Sequence, residues 1–78
     1  MDEYLNKVIQ IIIEKTGLDA DEVSEESFFE DDLNMGQMEL VDLLTELEEI
    51  YQTDELVLEK DNIQTVQDIV DLLVEKVE

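Results

Sequence analysis

Apolar residues recur along this chain at intervals of three and four, the spacing that gathers side chains on one face of a helix. Over residues 3–16 the stripe is Leu5, Val8, Ile9 and Ile12, widened by Tyr4, Ile11 and Ile13. The run Ile11–Ile13 is also β-prone. Helix is nevertheless expected, because straight-chain helix formers flank the run, Gly17 stands at the stop position, and no partner strand is visible. A second stripe runs through Met38, Val41, Leu43 or Leu44, Leu47, Ile50 and Tyr51. The pair Asn34 and Gln37 has capping-box spacing and is expected to open that helix. A third stripe, Val66, Ile69, Val70, Leu73 and Val77, follows Thr65 and Asp68, again at capping-box spacing, and is expected to run to about Glu75.

Between these helices lie two connections. Residues 17–33 form a long first loop anchored by Leu18, Val23, Phe28 and Phe29. A loop of that length in a small domain packs through its own side chains or carries function, and Val23 with one of the two phenylalanines would supply the packing. Residues 52–64 lack full helical periodicity and predict only a short helical turn near Leu56–Lys60. The fold class is therefore all-α: one domain over 1–78, a small bundle of three main helices plus one short helix.

Charge changes this picture from a generic bundle to a specialised one. The 78 residues include 24 Asp and Glu against 4 Lys and Arg, with no His, for a formal net charge of −20. Phosphate contacts require Lys and Arg, so neither nucleic acid nor an anionic membrane is an expected partner; a basic protein surface is. Disorder is not expected, because 44% of residues are hydrophobic and they are periodic rather than scattered. No apolar run approaches the roughly 18 residues of a membrane span, and the acidic start does not resemble a signal peptide, so a cytoplasmic monomer is expected.

Candidate chemistry is sparse. The chain has no Cys and no His, hence no thiolate metal site, thiol nucleophile or imidazole base, and no glycine-rich phosphate loop. Carboxylate pairs are abundant by composition, so their spacing points to no catalytic pair. Asp31-Asp32, Glu48-Glu49 and Asp54-Glu55 lack the alternating oxygen ligands and central Gly of an EF-hand loop, and no metal site is expected. The chain is not expected to be an enzyme. Its outward second-helix residues are the candidate surface: Glu39, Asp42, Glu46, Glu48 and Glu49 are expected to face water or a partner.

Taken in order, four features resemble the acyl carrier protein family across essentially the whole chain. They are Glu22-Val23, the Phe29-x-x-Asp32-Leu33 approach to the second helix, the register Val41–Tyr51 (VDLLTELEEIY), and Thr65–Leu73 (TVQDIVDLL). In that family the second helix opens with Asp-Ser-Leu, and the Ser carries phosphopantetheine, whose thiol bears the acyl chain. Here the triplet is Gly36-Gln37-Met38. A carboxamide offers no nucleophile comparable to a hydroxyl oxygen for attack on the pyrophosphate of coenzyme A, so no prosthetic group is expected on Gln37. The only serines, Ser24 and Ser27, fall in the long loop, and Thr45 and Thr65 are in no matching triplet.

The resemblance implies that second-helix acids meet Lys- and Arg-rich patches on enzymes of fatty-acid, polyketide or related lipid metabolism. Glu39, Asp42, Glu48 and Glu49 hold the corresponding positions, with Met38 and Val41 as the apolar centre. The reading is a docking or regulatory pseudo-carrier. Its alternatives are a working carrier whose attachment serine was altered or displaced, and a structural scaffold subunit of an unrelated assembly.

Overall fold

The computed structural model describes residues 2–78 and holds three helices, α1 (Asp2–Thr16), α2 (Gln37–Tyr51) and α3 (Val66–Val77). Two 3-10 turns, Ala20–Glu22 and Val57–Asn62, lie in the connections. Among the described residues there is no strand, only an isolated antiparallel bridge between Phe28 and Thr65. The all-α bundle expected from the periodicity is what forms. No helix among these residues is long and apolar enough to cross a membrane.

The end of α1 and the head of α3 have local causes. Gly17 takes φ +77°, a left-handed conformation that costs glycine little, and its N–H donates to the Ile13 carbonyl at 2.9 Å, closing α1. At the head of α3 the Thr65 Oγ1 accepts from the Asp68 N–H at 3.3 Å, while Asp68 Oδ2 accepts from the N–H groups of Thr65 and Gln64 at 3.1 and 2.9 Å. The capping box read from the sequence is therefore present at α3, which extends two residues past Glu75. The first loop satisfies the next two donors of that helix: Val66 N–H donates to the Ser27 carbonyl at 3.1 Å, and Gln67 N–H to the Glu25 carbonyl at 2.9 Å.

The core joins all three helices. Val8, Ile12, Leu43, Leu44, Leu47, Leu56, Val66, Ile69 and Leu73 are fully buried, with Ile11, Leu33, Met35, Leu40, Ile63 and Leu72 almost so. α1 packs mainly against α3, and α2 against the Val57–Asn62 turn. In the long loop Val23 and Phe29 are buried while Phe28 is 44% exposed, so the loop packs by the residues expected and Phe29 is the anchoring phenylalanine. Tyr4 stacks edge-on against Tyr51, ring centroids 5.3 Å apart.

Among the described residues, Lys15, Lys60 and Lys76 pair within the fold. Lys15 bridges α1 to α2 through Glu46 at 2.7 Å, Lys76 ties α3 to Glu55 at 3.0 Å, and Lys60 lies 3.5 Å from its neighbour Asp61. Donating to the Glu46 carboxylate raises the Lys15 pKa, and donating to Glu55 does the same for Lys76. Removal from water raises both tyrosines, Tyr4 with added help from Glu78. A group whose pKa is raised by folding contributes fully below its unfolded value, 10.5 for Lys and 10.0 for Tyr, and loses that contribution as pH climbs through the higher folded value. The melting temperature is thus expected to fall above about pH 10. Lys15→Arg with Lys76→Arg, which keeps both pairs charged, should remove part of the fall.

The remaining carboxylates greatly outnumber their partners. Raising salt from low to physiological ionic strength is expected to raise the melting temperature by screening their repulsion. A thermal scan indifferent to salt would mean the charges are spread too widely to matter.

Candidate functional site

α2 sorts its residues into three bands. Leu40, Leu43, Leu44 and Leu47 face the core. Opposite them Met38, Asp42, Thr45 and Glu49 are all exposed, Met38 by 80%, and at 3.6 residues per turn they fall within about 60° of one another. Val41, Glu46 and Glu48 lie between, partly buried. The core stripe thus differs from the one read in the sequence. Leu40, not Met38, is its first member, and Ile50 is 46% exposed, because the helix begins later than Asn34 and its inward face is fixed by the Leu pair at 43 and 44.

The helix start is a correction. Asn34 does not cap α2; it sits at φ +58°, in the left-handed region that Asn tolerates better than most residues. Gly36 is the N-cap, and Glu39 reaches back so that its Oε1 accepts the Gly36 N–H at 3.0 Å. Glycine has no side chain to close the other half of the box. Gln37 is the first helical residue, exposed rather than capping, and Glu39 combines solvent exposure with a hydrogen bond to its own helix end.

Glu48 is the second correction. Its Oε2 accepts the N–H groups of both Leu56 and Val57 at 3.0 Å, at the start of the Val57–Asn62 turn. A carboxylate so placed satisfies two donors beside the fully buried Leu56 through one of its oxygens, so Glu48 is drawn onto the turn and not held wholly outward. Of the candidate partner residues, Met38, Asp42 and Glu49 share the outer face, Val41 and Glu48 are recessed at its edge, and Glu39 lies at the helix head.

Two features of this region escaped the sequence pattern. Leu58 is 80% exposed although Leu56, two residues earlier, is fully buried. In a short 3-10 segment no helical stripe separates inward from outward positions, so only the contrast at spacing two carried a signal. The other is a cavity of about 400 Å3 at the head of α2. Phe29, Met35, Leu40 and Ile63 give it a buried apolar floor, and Gln37, Lys60, Asp61 and Gln64 stand among its walls.

The loop serines are placed structurally. Ser27 is buried, its Oγ accepts the Ser24 N–H at 3.0 Å, and the two hydroxyls lie 3.4 Å apart. Among the described residues no group of three or more Asp and Glu is arranged to hold a metal ion. No protein-family model matches the chain.

Proposed function

We propose that this protein is an acidic docking module of acyl-carrier type that carries no phosphopantetheine and binds a basic surface of a cytoplasmic enzyme of fatty-acid, polyketide or related lipid metabolism. The observation that carries the reading is the outer face of α2, an 80% exposed Met38 followed by Asp42 and Glu49 on a chain of net charge −20. An apolar contact set among like charges suits a partner that supplies a small hydrophobic spot within Lys and Arg, the charges steering the encounter. Lys60 and Lys76 pair away from that face, and Lys15, bound to Glu46 on α2, is the cation that Asp42 feels.

Gln37 supports the non-carrying half of the reading. It stands exposed at the first position of α2, where the resemblance would place a modified serine, and it has no nucleophilic oxygen. Ser27, buried and hydrogen-bonded, is a poor substitute, which weighs against a displaced attachment site.

Intact-mass measurement tests this. With coenzyme A and a promiscuous phosphopantetheinyl transferase, the unaltered chain is expected to gain no mass. Gln37→Ser combined with Gly36→Asp and Met38→Leu is expected to gain one prosthetic group. The Cβ added at position 36 would lie 3.2 Å from Glu39 Oε1, the mobile end of a side chain that can give way. A mass gain on the unaltered chain would overturn the non-carrying reading.

A further inference from the structure

The cavity at the head of α2 is not used by the outer-face contacts described above. Its open apolar wall is Phe28, 44% exposed, set over the nearly buried Phe29, Met35, Leu40 and Ile63, and the rest of its accessible lining is polar. Glu30, Asp31 and Asp61 line it against a single cation, Lys60, so its surroundings are net negative. At about 400 Å3 it is at the low end of the roughly 300–1,000 Å3 of small-molecule pockets, ample for one side chain.

We propose that this cavity is the anchor socket of the docking surface, taking one aromatic or large aliphatic side chain that the partner displays between Lys and Arg residues. The inference rests on the docking reading and names what the partner must present. The apolar lining desolvates the side chain, and Glu30 and Asp31 meet the flanking cations, while Asp61 is paired with Lys60 at 3.5 Å. An uncharged hydrophobic segment would gain only the first of these, and an anionic one would be repelled. Gln37 leaves the mouth free of a covalent tether, and with Met38 as its neighbour in sequence the socket adjoins the outer face at the first turn of α2.

Two dye-labelled, end-blocked peptides test it, Lys-Arg-Phe-Arg-Lys and Lys-Arg-Ser-Arg-Lys, titrated into the full chain by fluorescence anisotropy at low salt. Burial of the phenyl ring predicts about tenfold tighter binding of the Phe peptide. Methyl NMR should show Leu40 and Ile63 shifting with the Phe peptide while Val74, exposed on α3, does not. Gln64→Trp places a bulky plug on an exposed wall residue and, in a chain with no Trp, reports its own seating by a blue-shifted emission. Once seated, it should cut the Phe preference below about twofold. Equal affinity for the two peptides, or a Phe preference that leaves the Leu40 and Ile63 methyls unmoved, would overturn the socket. Salt-sensitive binding of the Ser peptide that Asp42→Lys with Glu49→Lys weakens would stand in either case, and its absence would count against the docking reading itself.

Discussion

Glu48→Ala is expected to destabilise the fold by about 2–3 kcal/mol, although it removes a negative charge from a chain carrying −20. Charge relief alone would stabilise. The opposite sign is expected because the carboxylate oxygen of Glu48 receives two backbone donors, Leu56 and Val57, each at 3.0 Å. With Ala at 48 those N–H groups lose their acceptor beside a fully buried leucine, and an unmet buried donor costs about 1–3 kcal/mol. Glu48→Gln retains one carbonyl oxygen able to take both bonds without the charge, and should cost about 1 kcal/mol. Glu49→Ala, one residue on and fully outside, should fall within about 0.5 kcal/mol of the parent. Urea unfolding of the three variants checks the order. If Glu48→Ala matches Glu49→Ala, the two bonds contribute nothing and the turn is held by Leu56 alone.

How much of this was legible in the sequence depended on whether a signal was local. The stripes of α1 and α3, the Gly17 stop and the Thr65–Asp68 cap are set by neighbours within one or two turns, and they formed as the spacing implied. The start of α2 was misread because Asn34 and Gly36 are both plausible caps. What separates them is the backbone at Asn34, bent into the left-handed region while the Met35 N–H donates to the Phe29 carbonyl at 2.7 Å. The role of Glu48 was hidden for a related reason. Its partners lie eight and nine residues on, beyond a helix end at which Gln52 takes φ +57°, and no periodicity connects them. The cavity joins three separate segments, around residues 28–31, 35–40 and 60–64, so it existed for the sequence reader only as scattered apolar residues.

Reversal of Asp42 and Glu49 to Lys is expected to slow association with a basic partner by about 10-fold or more at low salt and to flatten the dependence of affinity on salt. Both side chains are exposed on the outer face, so the reversal should leave helicity unchanged. Exposed ion pairs contribute only about 0–1 kcal/mol each, so the complex itself should be micromolar or weaker, with the charges expressed mainly in the on-rate. The choice of positions matters. A reversal that included Glu48 would also remove the acceptor of Leu56 and Val57, and weaker binding would then report a loosened turn rather than a lost docking contact. Stopped-flow association at several salt concentrations separates the two variants: Asp42→Lys with Glu49→Lys should alter the slope without altering the unfolding midpoint by more than the charge relief allows.

The most direct test of the docking face compares it with an equally acidic face elsewhere on the same molecule. Asp71 and Glu75 on α3 are exposed, four residues apart, and outside the capping box that makes Asp68 unsuitable. The measurement is quantitative affinity capture of partner proteins on the unaltered chain, on Asp42→Lys with Glu49→Lys, and on Asp71→Lys with Glu75→Lys; each reversal adds two charges, so both variants differ equally from the net −20 of the unaltered chain and match one another. Lipid-metabolism enzymes held by the unaltered chain are predicted to be lost from the α2 variant and kept by the α3 variant. Equal loss from both variants would contradict the account, because attraction would then belong to the overall charge and not to α2.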